Sequence, residues 1–131
     1  MSDPSGLLGV VVGHGDMPAG LVSAVRAIAG EAADALTPIS NTGKSPEELK
    51  LEIDEAVGDA AAVVFVDLQS GSCGMAAYSC CRDRPGRAVL CGVNLPMLLD
   101  FVFRRQSSVE EIADSLVDKG RSAISRPLRS G

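Results

Sequence analysis

The sequence predicts an α/β protein: a doubly wound, mainly parallel sheet of four to five strands with helices on both faces. Three observations lead there. Short, continuous apolar runs of the kind that form strands buried on both faces alternate along the chain with segments of helical periodicity. The connections between them are short, and strands separated by helices pair in parallel through crossovers. The chain has 131 residues, 46% hydrophobic and 22% charged, which suits one domain (residues 1–131) with a real core.

The elements follow in order. Leu7 to Val12 is an apolar run stopped by Gly13 and reads as a strand. From Ala19 to Ala29, Leu21, Val22, Val25 and Ile28 recur at helical spacing, and Gly30 can end that helix. Ala35 to Ile39 is a weaker strand. Ser45-Pro46-Glu47-Glu48 opens a helix, with Ser45 as N-cap, Pro46 at the first position and Glu48 completing a capping box; Leu49, Ile53, Ala56 and Val57 form its apolar face, and Gly58 ends it. Ala61 to Val66 is the strongest strand signal. Ser72 is expected to cap a helix running to about Cys81. After the polar turn Arg82-Asp83-Arg84-Pro85-Gly86, Ala88 to Val93 reads as a fourth buried strand. A short helix follows from Pro96 to Phe103. Ser108-Val109-Glu110-Glu111 is a second capping box, opening a helix through about Ala123, and a short basic tail runs from Ser125.

Composition excludes several functions. The formal charge is −5, which argues against a nucleic-acid-binding surface. Aromatic residues are 3% and Trp is absent, which argues against base-stacking platforms and aromatic sugar surfaces. One His means that no site needing two imidazoles forms within one chain. No run of 18 apolar residues exists; the longest candidate, Ala88 to Phe103, is broken by Asn94, Pro96 and Asp100. Met1-Ser2-Asp3-Pro4-Ser5 lacks a basic start and an apolar stretch, so no signal peptide is expected and the cytoplasm is the expected location. There Cys73, Cys80, Cys81 and Cys91 stay reduced. They form no C-x-x-C pair, which favours small buried hydrophobes over zinc or redox ligands.

Ligands of open parallel sheets bind beyond the carboxyl ends of the strands. Four groups of residues fall there: Gly13-His14-Gly15-Asp16; Ser40-Asn41-Thr42; Asp67 with Gln69, Ser70, Gly71 and Ser72; and Asn94 with Pro96. A lone His is most often structural. Here it lies at a strand end between glycines, which leave the ring unshielded. An imidazole can be base, metal ligand or nucleophile. A metal site asks for more ligands than Asp67 and cysteines distant in sequence offer. An Asp after a strand often just makes a turn. Beside a His it accepts one ring N–H, fixes the tautomer and leaves the other nitrogen free to attack. Ser70-Gly71-Ser72 before a helix is an ordinary turn in most proteins; its amides and hydroxyls also suit phosphate oxygens.

Val12-Gly13-His14-Gly15, Asp67-Leu68-Gln69-Ser70-Gly71-Ser72 and Gly92-Val93-Asn94-Leu95-Pro96-Met97-Leu98 together resemble the EIIA domain of the mannose/fructose/sorbose class of the bacterial phosphoenolpyruvate-dependent sugar phosphotransferase system. The resemblance runs from about Leu7 to Ser125. It implies a doubly wound phosphocarrier, with no cofactor and no metal, whose His14 is phosphorylated by HPr and passes the phosphoryl group to an EIIB component. Asp67 would orient the ring, and Gly15, Ser70, Gly71 and Ser72 would hold the phosphoryl oxygens. It further implies a homodimer with an exchanged C-terminal strand, and a link to membranes only through EIIC and EIID. The apolar cluster Leu98, Leu99, Phe101, Val102 and Phe103 points to a dimer as well, unless the last helix covers it. The family commonly has Gly-Gly-Ser-Pro where this chain has Ser70-Gly71-Ser72-Cys73, and Pro127 interrupts the tail. Two other readings stand beside the carrier: a regulatory phosphohistidine module that serves no transporter, and a cysteine-based metal or redox protein, which calls for bound metal.

Overall fold

Four parallel strands form the sheet of the computed structural model, which describes residues 6–128. They are β1 (Leu8–Gly13), β2 (Leu36–Ser40), β3 (Ala62–Val66) and β4 (Arg87–Cys91), in the order β2-β1-β3-β4. The helices are α1 (Met17–Ala29), α2 (Pro46–Val57), α3 (Ser72–Cys81), α4 (Leu95–Val102) and α5 (Val109–Ser122), with a 3₁₀ turn over Gly30–Ala35. The register pairs Val12 of β1 with Ile39 and with Val66, and Val66 with Cys91.

The pleat divides the apolar side chains of the central strands between two layers. On one face Val11, Val63 and Phe65 pack with Val22 and Val25 of α1, Leu98 and Phe101 of α4, and Ile112 and Leu116 of α5. Phe65 and Phe101 meet edge-on at 5.2 Å between ring centres. On the other face Val10, Val12, Val64 and Val66 pack with Leu49 and Ile53 of α2 and Ala77 and Cys80 of α3. The helices are therefore distributed as the sequence predicts. Both capping boxes form, with Ser45 accepting from the Glu48 N–H and Ser108 from the Glu111 N–H.

Several details differ from expectation. The fourth strand is an edge strand, not a buried one: Val89 is half-buried and Cys91 exposed. It ends at Cys91 because Gly92 turns the chain at φ +82°, and the Gly92 and Val93 N–H groups both donate to the Val66 carbonyl. Cys91 is therefore no core residue, unlike the buried Cys73, Cys80 and Cys81. Helix α1 starts at Met17, two residues early, because Pro18 suits a first turn. Ser72 is not the cap of α3 but its first residue; Gly71 holds the N-cap position at φ +94°, and no side chain caps it. Helix α4 starts at Leu95, since Asn94 caps it by accepting from the Met97 N–H.

The apolar surface of α4 is mostly covered within the chain. Leu98, Phe101 and Val102 are buried against the sheet and α5, Leu99 is half-buried, and Phe103 alone of the five stays open at 68% exposure. This helix therefore gives no argument for a second subunit. Residues 124–128 carry no regular structure, so no C-terminal strand is present among the described residues; the last three residues of the tail lie outside them. No helix among the described residues is long and apolar enough to cross a membrane.

Candidate active site

Helix α1 joins β1 to β2 across one face of the sheet, and α2 joins β2 to β3 across the other. The chain thus leaves β1 in one direction and returns on its other side. That makes the gap between the carboxyl ends of β1 and β3 the topological switch point, where such sheets bind ligands. Since Val12 and Val66 are register partners, the residues beyond them, His14 and Asp67, are brought to one place.

They touch. His14 Nδ1 lies 2.6 Å from Asp67 Oδ2, and the His14 backbone N–H donates to the same oxygen at 3.0 Å. The Leu68 N–H donates to Oδ1 at 2.9 Å, so the carboxylate is held on both sides. The close approach depends on Gly13. A Cβ there would meet Met17 Cε at 2.2 Å and the Asp67 carboxyl at 3.1 Å. Gly15, at φ +58°, turns the chain outward with open space around it.

The His14 side chain is 49% exposed and that of Asp67 17%. Burial pushes the Asp67 carboxyl upward, but the hydrogen bonds from the His14 ring, the His14 N–H and the Leu68 N–H outweigh it and hold it below its ordinary value. An ionised carboxylate can only accept, so Nδ1 is the donor, and in the neutral ring Nε2 carries the lone pair.

The loop after β3 brings α3 to the same place. Cys73, in the first turn of α3 and 0% exposed, puts its Sγ 3.9 Å from His14 Nδ1. Burial, and then the Asp67 charge, push its thiol up. This cysteine is the residue that sequence reading misses: it is 59 positions from His14, yet it is the neighbour that α3 places against the ring. The signal available was its position directly after Ser72, in the turn expected at the site. Ser70 and Gly71 are exposed and Ser72 half-buried, at the uncapped start of the same helix. Among the described residues, one group of three metal-ligating types gathers: His14, Asp67 and Cys73.

Other residues at this edge have structural work. The Asn94 side chain caps α4 and donates to the Gly120 carbonyl at 2.9 Å, tying α4 to α5. Ser40 and Thr42 bond to each other, and Lys44 donates to the Ser40 carbonyl and pairs with Glu52. The cavity of about 770 Å³ lined by Leu7, Ala61, Gly86 and Arg105 lies at the opposite, amino end of the strands.

The family model described as "PTS system fructose IIA component" (EIIA-man) matches residues 9–117. Solved structures agree in fold. A phosphotransferase system component EIIA from Streptococcus agalactiae is 24% identical with a TM-score of 0.85, over 92% of this chain and 96% of that one. A mannose/sorbose-specific IIA subunit from Enterococcus faecalis is 22% identical with a TM-score of 0.85, over 96% and 98%. A PTS IIA protein associated with the fucose utilization operon of Streptococcus pneumoniae is 19% identical with a TM-score of 0.81, over 96% of each. No curated protein sequence matches the chain.

Proposed function

The chain belongs to the EIIA-man family of phosphotransferase-system IIA components, and from that premise we propose that it is a phosphocarrier whose His14 Nε2 takes a phosphoryl group from phospho-HPr and gives it to an EIIB component. The observation that carries the reading is the 2.6 Å contact between His14 Nδ1 and Asp67 Oδ2 at the switch point of the sheet. It leaves one ring nitrogen engaged and the other available, on a side chain half open to a protein partner.

The chemistry balances within these residues. The Nε2 lone pair forms the N–P bond as the bond between phosphorus and its donor breaks. The ring then carries positive charge, which the Asp67 carboxylate offsets through Nδ1–H, as a carboxylate does in a catalytic triad. Gly15, Ser70, Gly71 and Ser72 are the groups we assign to the phosphoryl oxygens. The uncapped first turn of α3 supports this, because free N–H groups and the helix dipole favour an anion. The reaction needs no cofactor.

The remaining expectations rest on family membership: exchange with HPr and EIIB in the cytoplasm, contact with membranes only through EIIC and EIID, and a homodimer. Sedimentation equilibrium at micromolar concentration checks the dimer; a clean 13.5 kDa monomer refutes it. The phosphocarrier itself is tested by incubation with phosphoenolpyruvate, enzyme I and HPr, followed by mass measurement. One phosphoryl group should appear, labile to acid and stable to base. His14→Ala should acquire none, and its phosphorylation to the wild-type extent would refute the assignment.

A further inference from the structure

We propose that His14, Asp67 and Cys73 also form a site for a zinc-class divalent cation, one that accepts mixed nitrogen, oxygen and sulfur ligands, and that this ion competes with the phosphoryl group for the ring. One ligand atom from each residue lies within 4.8 Å of the others. Nδ1 is 2.6 Å from Asp67 Oδ2 and 3.9 Å from Cys73 Sγ. Tetrahedral zinc with ordinary bond lengths needs separations of about 3.3 Å between nitrogen and oxygen and about 3.6 Å between nitrogen and sulfur. Two of the three separations thus change by about 0.7 Å or less, the hydrogen bond opening and the sulfur closing in, while the oxygen–sulfur pair, within 4.8 Å, closes to about 3.6 Å as the Asp67 carboxylate swings off the Nδ1 axis to admit the ion.

The surroundings fit a metal centre. The Leu68 N–H on Oδ1 and the His14 N–H on Oδ2 orient the carboxylate from outside, as second partners of metal ligands do. Cys73 forms the buried floor and the half-exposed imidazole the rim, so an ion has an entry path and a fourth position open to water. Three protein ligands with a fourth position open to water is the ligand count of catalytic, as opposed to closed structural, zinc sites.

Binding and phosphorylation exclude each other through the ring's single proton. In the free protein Nδ1 bears the hydrogen and Nε2 the lone pair. A cation on Nδ1 requires that lone pair, so the ring hydrogen moves to Nε2 through solvent. The thiol loses one proton to water as the S–metal bond forms, and nothing is oxidised or reduced. Nε2–H cannot attack phosphorus. The metal therefore stops phosphoryl acceptance, and by linkage a phosphorylated ring binds the metal more weakly.

The binding half needs only the geometry, whereas the competition rests on the phosphocarrier reading; the test separates them. Reduced, metal-free protein is titrated with Co²⁺ and then Zn²⁺. One equivalent of cobalt should give a thiolate-to-cobalt band in the near ultraviolet, which zinc abolishes. Cys73→Ala, and Cys73→Ser as a second variant of similar volume, should lose the band and bind zinc at least about tenfold more weakly, since even an outer partner of a metal ligand is worth about 10–100-fold. Cys91→Ser, at the exposed thiol, should keep both. No band in the wild type, or a band that survives in folded Cys73→Ala, overturns the site. Purified phospho-HPr then serves as donor, so that metal acts on this chain alone. Zinc should halt transfer to the wild type and spare Cys73→Ala; equal transfer to the wild type with and without bound zinc overturns the competition. A wild type that takes no phosphoryl group even with chelator refutes the phosphocarrier reading, and the cobalt spectrum still decides the site.

Discussion

Asp67→Asn should slow phosphorylation of His14 at least about fivefold while the fold stays in place. The carboxylate accepts three N–H bonds: two from His14 at Oδ2 and one from Leu68 at Oδ1. An amide has one acceptor oxygen and cannot keep all three. With that oxygen facing His14, both His14 bonds survive as neutral ones. The Nδ1 bond then falls from about 1.5–3 kcal/mol, the worth of a bond to a charged group, to about 0.5–1.5 kcal/mol. The difference of about 1–1.5 kcal/mol corresponds to about five- to twelvefold in rate if the ring charge is fully developed in the transition state. With the amide nitrogen facing His14, Nδ1 must become the acceptor and Nε2 carries the hydrogen. The wrong tautomer costs about 10⁴-fold in a serine-protease triad, which sets the upper bound. Single-turnover transfer from phospho-HPr measures the rate, and nitrogen NMR of the His14 ring reads the tautomer in the same sample. An unchanged rate in a protein of unchanged stability would refute the role given to Asp67.

Three further outcomes are expected. Arg87 is buried at the start of β4 and donates to Asp54 Oδ1 at 2.7 Å, to the Cys80 carbonyl at 2.9 Å and to the Gly58 carbonyl at 2.9 Å. Arg87→Ala strands all three acceptors and should cost about 3 kcal/mol by urea unfolding, with transfer rates unaffected in the folded fraction because the site lies at the other end of the strands. At Gly9 an added Cβ would sit 2.6 Å from Leu36 Cδ2 and 2.7 Å from Phe101 Cε2, so Gly9→Ala should destabilise by about 1–3 kcal/mol; a neutral result would mean the Phe101 ring moves aside freely. The Asp67 carboxyl is held below its ordinary 3.8 in the folded protein, so the stability it supplies is present above that value and lost as pH falls through the lower folded value; the acid limb of a pH–stability profile should be shallower in Asp67→Asn.

The elements legible in the sequence are those whose signal is local. The central strands announce themselves because both faces are covered: Ala62–Val66 is buried at every position, so its run has no polar break. The capping boxes at Ser45 and Ser108 are legible because each cap is completed three residues away. Edge position is not local. Val89 belongs to an apolar run like those of the centre, and only the order β2-β1-β3-β4 leaves it half-open. The cover on α4 is likewise decided by where α5 folds back, through contacts such as Asn94 to Gly120 that join residues 26 apart. The 3₁₀ turn over Gly30–Ala35 follows a helix end that Gly30 marks correctly, but it has no apolar period of its own.

The site divides the same way. His14 and Asp67 are legible as a pair because both end apolar runs, and a parallel sheet sends all its carboxyl ends to one side. Their contact needs one fact more, that β1 and β3 are neighbours, and a doubly wound chain supplies it by reversing direction there. Cys73 is hidden because its relevance depends on how steeply α3 leaves the loop. Gly71 at φ +94° directs the chain there, and Gly74 packs so tightly that a Cβ would sit 2.3 Å from the Gln69 carbonyl oxygen. Those two glycines press the first turn of α3 under the imidazole. A proline at position 73 would give that turn a rigid start with nothing to coordinate. A thiol there faces a nitrogen whose protonation state decides whether the ring can attack. On the proposed reading, this one residue at a helix start is what lets a metal compete with the phosphoryl group for the ring.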